Sequence, residues 1–257
     1  MKKPGSRLLI VNADDLGRTP GINEGVFAAH TSGILTSATL MVNFPASRDA
    51  ASKLADHPAL GVGLHVALTG GRPTLEPDRV PSLVDAAGNL PRKPEDLRTP
   101  DPNEILAEVR AQLGLFRELV GKMPSHLDSH HHSHRRPEVC DALIATAREN
   151  GLPVRNAGGG VGDRLRAAGI ATTDFFVERF FGEQARVEIL IEILKSIGKS
   201  PPGSTELMCH PARVDEELRL GSSYAEPREQ ELAALIHPDA RDALEQANIR
   251  LIHFGDL

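Results

Sequence analysis

Tryptophan is absent from the 257 residues, tyrosine occurs once, at Tyr224, and aromatic residues reach only 4%. A site that gripped its ligand by stacking would have few rings to use. Cysteine occurs only at Cys140 and Cys209, too few for a disulfide framework or a cysteine-rich structural zinc site. No apolar run approaches the roughly 18 residues of a membrane span. The opening MKKPGSRLLIVNADD meets acid too early for a signal h-region, so the expectation is a cytoplasmic protein with no membrane span. Positive charge is in deficit, 29 Lys and Arg against 35 Asp and Glu, and it is scattered. That leaves no stripe for a phosphate backbone, and nucleic acid is not an expected partner. No Gly-x-Gly-x-x-Gly follows the first strand candidate, and the glycine run in NAGGGVGD matches no phosphate-binding pattern.

What remains is ordinary globular usage, 40% apolar and 25% charged, in a length that one α/β barrel can fill. Eight short runs rich in branched residues read as strands: Leu8–Asn12, Ile34–Val42, Gly61–Leu68, Ser125–Ser129, Pro153–Asn156, Asp174–Val177, Glu206–Cys209 and Ile249–Phe254. Segments of helical spacing lie between most of them. The clearest is Pro102–Val120, with Asp101 as N-cap, Pro102 in the first turn and Gly121 as the stop. Gln184–Ile197, ending at Gly198, and Pro137–Asn150, closed by Gly151, follow the same logic. The alternation predicts a parallel sheet covered by helices: a single-domain α/β protein over 1–257, a TIM-barrel-like (β/α) barrel rather than an open sheet. The weakly patterned stretch at about 70–101 reads as an insertion loop after the third strand.

In either architecture, sites gather at the C-terminal ends of strands. LLIVNADD ends in Asp14 and Asp15, GVGLHVAL carries His65, SHLDSHHHSH carries Asp128 and a run of histidines, and ELMCHPA ends in His210. Two adjacent carboxylates repel, and a divalent cation removes that cost while leaving one free as a base; a turn or helix cap is the plainer use of Asp-Asp. Five of the 11 histidines fall at His126, His130, His131, His132 and His134. His126, Asp128, His130, His132 and His134 share parity, so an extended chain would put them on one face. Pro137 opens a helix soon after, which makes His130 the best-placed ligand and puts His132 or His134 behind it or on the loop. A carboxylate and two imidazoles from separate strands leave open positions, as a catalytic metal site requires. His65 alone, on an apolar strand, would more often be a core histidine.

Four motifs in order, LLIVNADDLG, VGLHVALTGGRP, MPSHLDSHHHSH and ELMCHPA with SSYAEPREQEL, resemble the YdjC/ChbG family of carbohydrate deacetylases along essentially the whole chain. ILTSATLMVNFPASRDA and VPSLVDAAGNL further resemble the branch associated with hopanoid biosynthesis. The resemblance implies a distorted barrel, often a homodimer, holding one divalent ion on Asp15, His65 and His130, with Asp14 as catalytic base. Mg or Zn is the expected ion, although Mn, Co and Ni suit the same donors. The implied reaction removes the acetyl group from an N-acetylated amino sugar or short chitooligosaccharide. His210 is then the candidate acid for the leaving amine, or a substrate contact. Asp128 or Glu206 could orient a histidine. Arg155 could grip a sugar hydroxyl or an anion, or form a salt bridge. His132 belongs with the supporting residues, and Tyr224 and Arg228 could close over the site. Phosphoester or isomerase chemistry, or a non-catalytic carbohydrate-binding barrel, could use the same ligands. Two-metal phosphoesterases, however, need more bridging carboxylates than these strand ends offer.

Overall fold

The computed structural model describes residues 6–257. The chain runs β1 (Arg7–Leu16), α1 (Pro20–Ser32), β2 (Ser37–Leu40), α2 (Ser47–Lys53), β3 (Gly61–Val66), α3 (Pro102–Val120), β4 (Leu127–Ser129), α4 (Pro137–Asn150), α5 (Val161–Ala167), β5 (Phe175–Val177), α6 (Val187–Lys199), β6 (Gly203–Cys209), α7 (Glu216–Gly221), α8 (Pro227–Leu235), α9 (Pro238–Gln246) and β7 (Ile249–Leu251). Helix punctuation follows local chemistry. The Asp101 side chain accepts from the Asn103 amide, Pro102 opens α3, and Gly121 ends it at φ 76°. Gly151 ends α4 in the same left-handed conformation. The expected stop at Gly198 does not occur. That residue lies inside the last turn of α6, where an added Cβ would sit 2.8 Å from Ala247 Cβ, so the glycine serves close packing.

All paired strands are parallel, in the order β4-β3-β2-β1-β6-β5. The expected strand at 153–156 is reduced to a single bridge from Val154 to Leu127. It still helps to curl the sheet, because the Val154 amide donates to Ala171 O and the Asp174 amide to Ser204 O. Residues 153–174 therefore lie in the gap between β4 and β5, the two edges of the sheet, giving a distorted barrel. β7 is not an eighth stave between these. It pairs with Arg7–Leu9 of β1, on the stretch before β2 takes over at Asn12. Residues 67–101 contain two short 3₁₀ turns and no other helix or strand, yet Val80, Leu83, Leu90 and Leu97 are buried.

Strand parity divides the core. Leu9, Val11 and Ala13 of β1 join Val62, Leu64 and Leu207 in the cluster under the helices. Leu8 and Ile10 point the other way and pack with Ile252 and Phe254 from the end of the chain. His126 stacks on Phe254, with ring centroids 3.7 Å apart, and Gly63 makes room because a Cβ there would lie 2.4 Å from the imidazole. Asn12 and Asp14 continue the parity of Leu8 and Ile10. The same inner face thus changes from apolar to acidic along one strand.

Candidate metal centre and active site

Alternation along a strand should separate Asp14 from Asp15. The β1–β2 register shifts between Ala13 and Leu16, and Asp15 adopts φ 69°, so both carboxylates enter the same space. Aspartate is among the residues that tolerate this left-handed conformation.

Asp14 is clamped. Arg155 Nη1 donates to its Oδ2 at 2.7 Å, Nη2 to its Oδ1 at 2.6 Å, and Asn12 Nδ2 adds a third bond at 3.0 Å. Burial opposes the charge of Asp14, but the Arg155 guanidinium, with His65 and His210, holds its carboxyl well below the usual range. Arg155 itself is 0% exposed and also meets Glu206 Oε1 at 2.7 Å and Asp128 Oδ2 at 2.9 Å. One cation cannot balance three buried carboxylates. Burial pushes Glu206 up to about 7, so this group takes up a proton near neutrality. Of the uses expected for Arg155, the structure shows the salt bridge rather than a grip on a sugar hydroxyl or outside anion, and shows it in the buried polar interior of the barrel rather than at the rim.

Asp128 orients His65. Its Oδ1 accepts from His65 Nδ1 at 2.7 Å, and its Oδ2 accepts from Thr39 at 3.1 Å. Burial works against a charged His65, but Asp128 and the two neighbouring aspartates outweigh it and raise its pKa to about 9. The fixed Nδ1 leaves Nε2 facing Asp15 Oδ1 at 3.5 Å, and His130 Nδ1 lies 3.1 Å from the same oxygen. Burial holds His130 below the ordinary histidine range, which favours a neutral imidazole. Asp15 Oδ1 and His65 Nε2 are buried without a hydrogen-bond partner. The donor atoms of Asp15, His65 and His130 lie within 4.8 Å of one another, and this mixed N/O set suits a divalent cation. Asp14, His65 and Asp128 also approach each other. Both Asp14 oxygens and His65 Nδ1 already have partners there, so the first group is the better cation site, and an ion binding at His65 Nε2 would displace its proton.

The histidine run does not stay extended. β4 ends at Ser129, His130–Arg135 forms 3₁₀ turns, and His131 and His132 have φ values of 53° and 50°. Shared parity therefore fails beyond His130. His126 stays in the apolar interior, and His134 is locked between Ser129 Oγ and the Arg155 carbonyl. His132 lies half-buried, edge-on to Phe176 and 3.5 Å from Glu178, outside the donor triad.

The second wall comes from α8 and the loop before it. Arg228 Nη2 donates to Asp15 Oδ2 at 2.6 Å and its Nε to Tyr224 O at 2.8 Å. Arg228, His130 and Arg18 overcome burial and hold the Asp15 carboxyl well below its usual range. The Tyr224 hydroxyl donates to Glu231 Oε1 and accepts from the Gly182 amide at 2.9 Å. Glu231 also accepts the backbone amide of His210, whose Nδ1 is 3.9 Å from Glu231 Oε1 and without a hydrogen bond. Burial and Arg228 lower the His210 pKa to about 4, while burial raises that of Glu231 to about 7. Sequence reasoning did not single out Glu231. The available signal was its i,i+3 spacing from Arg228, which puts both on one face of α8.

A YdjC-like protein family model matches residues 8–246. A carbohydrate deacetylase of Brevibacillus brevis is 38% identical over 97% of this chain and 99% of its own length. A chitooligosaccharide deacetylase of Yersinia pestis is 37% identical over 97% and 99%. Among solved structures, an Enterococcus faecalis V583 protein named for cellobiose-phosphate cleavage superposes with TM-score 0.93 at 31% identity, covering 98% of each chain. A family 4 carbohydrate esterase from Streptomyces lividans shares the fold at TM-score 0.53 and 10% identity, covering 97% of this chain and 92% of its own. A strand-end acid pair, two imidazoles and near-complete coverage agree: this chain belongs to the YdjC-like family.

Proposed function

We propose that the protein is a metal-dependent hydrolase that removes the acetyl group from an N-acetylated amino sugar or short chitooligosaccharide. The observation that carries this reading is the pair of unpartnered buried atoms, Asp15 Oδ1 and His65 Nε2, facing His130 beside a clamped Asp14. Asp15, His65 and His130 would hold one divalent ion, with Mg or Zn the first candidates. When bound, such an ion supplies Lewis-acid charge for the developing oxyanion and acidifies water.

The protein groups account for the proton movements. Asp14 accepts a proton from the attacking water as the C–O bond forms. Arg155 fixes the direction of that carboxylate, and its charge keeps Asp14 from retaining the proton. His210 enters the cycle neutral, because its pKa is held at about 4. It becomes the acid by taking the proton that Asp14 gives up, and delivers it to the amine nitrogen as the C–N bond breaks. Glu231 holds the His210 backbone. A two-metal phosphoesterase fits less well, because Asp14, Asp128 and Glu206 are all engaged by Arg155, and of Asp15 only Oδ1 is left without a hydrogen bond. The resemblance extends the proposal to a homodimer.

The test is acetate release from N-acetylglucosamine oligomers by metal-stripped protein, with single divalent ions restored. The reading expects metal-dependent acetate that disappears in Asp14→Asn while bound metal remains. Tight metal binding with no acetate from any oligomer would exclude these substrates. Failure to bind any divalent ion would remove the Asp15, His65 and His130 assignment.

A further inference from the structure

Large apolar side chains that stand exposed are few among the described residues, and one of them, Phe181, borders the site at 44% exposure. One face of its ring lies on Tyr224, with centroids 3.9 Å apart and planes 13° from parallel. Its edge relation to His210, at 5.6 Å and 71°, places it beside the candidate acid. Tyr224 is held in turn. Its hydroxyl bridges Glu231 and the amide of Gly182, the residue after Phe181, and the Arg228 guanidinium lies 5.4 Å from its ring centre. The ring that faces water is therefore supported from behind and fixed to groups that touch His210 and Asp15.

We propose that the exposed face of Phe181, backed by Tyr224, is the platform on which the pyranose ring of the substrate rests. A pyranose has an apolar face of axial C–H bonds, and an aromatic ring attracts it by dispersion and by its negative face, while the sugar hydroxyls remain in water. Such a platform next to His210 would bring the 2-acetamido group toward Asp14 and the donor triad. It would select ring-shaped acetamides over acyclic ones. With no tryptophan and one tyrosine in the chain, a phenylalanine on a tyrosine is the economical way to build it. The inference rests on the deacetylase reading and names the substrate contact within it. Phe181 binds the sugar, and Tyr224 is a positioning residue.

The test compares Phe181→Ala, Phe181→Leu and Phe181→Tyr with the unmodified metal-loaded protein. KM and kcat are measured for N,N′-diacetylchitobiose and for N-acetylethanolamine, an acyclic acetamide. Saturation-transfer NMR of the disaccharide on metal-stripped protein reports contact without turnover. Loss of one aromatic contact should raise KM for the sugar roughly 3- to 10-fold in the Ala and Leu variants. The sugar-to-acyclic preference should fall, transfer to ring C–H protons should be lost, and Tyr should restore all three. Unchanged sugar KM and transfer in Phe181→Ala would overturn the platform. So would an equal loss for both substrates, the mark of a structural role. Unmodified protein that neither binds nor deacetylates the sugar would overturn the deacetylase reading together with the platform.

Discussion

Arg155 illustrates how far a residue's surroundings can depart from its usual surface role. Arginine is almost never fully buried unless paired, and here it is paired three times over. A buried ion pair is weak evidence for stability, but removal of one partner leaves uncompensated charge and costs about 3–5 kcal/mol. Arg155→Met is therefore expected to lower unfolding free energy by about that amount, read from the urea midpoint at constant m-value. The pH dependence has a definite sign. Because the Asp14 carboxyl is held well below its unfolded value, its share of stability is present above about pH 4. That share is lost as pH falls toward the folded pKa, and the variant should lack it. Sequence parity and strand-end placement brought Asp14, Asp15, His65 and His130 into consideration. They did not separate the roles of the two aspartates, because a left-handed residue and a register shift at Asp15 have no fixed signature.

At the scale of single elements, local rules worked best where ends are set by the chain itself. α3 begins and ends where Asp101, Pro102 and Gly121 say it should, since a side-chain acceptor, a fixed φ and a missing Cβ act within a few residues. Asp101→Ala should cost about 1 kcal/mol, measured by thermal unfolding, with bound metal unchanged. Elements that depend on distant partners were less legible. The Pro153–Asn156 run has strand composition but makes one bridge, because Ala171–Asp174, rather than a full neighbouring strand, meets it. α6 passes the glycine expected to stop it, because contact with Ala247 explains that glycine. The histidine run leaves the strand after Ser129 because His131 and His132 turn left-handed, which ends the period-two pattern.

Across the whole molecule, the C-terminal segment closes one end of the barrel and the acidic pair occupies the other. Phe254 is fully buried, stacked on His126 and packed with Leu8 and Ile10. Phe254→Ala should lower unfolding free energy by about 3–5 kcal/mol through the cavity left behind. Calorimetry should then show metal affinity in the folded protein changed far less than stability, since Phe254 touches none of the three donors. The sequence by itself determined the alternation of strands and helices, the ends of α3 and the stop of α4, and the strand ends where the acids and imidazoles gather. Those features arise from periodicity and short-range bonding. Tertiary structure decided that β7 lies beside β1 rather than as an eighth stave, and that Arg155 is interior. It also decided that Arg228, Tyr224 and Glu231 form a wall of the site, because each depends on surfaces meeting from parts of the chain far apart in sequence.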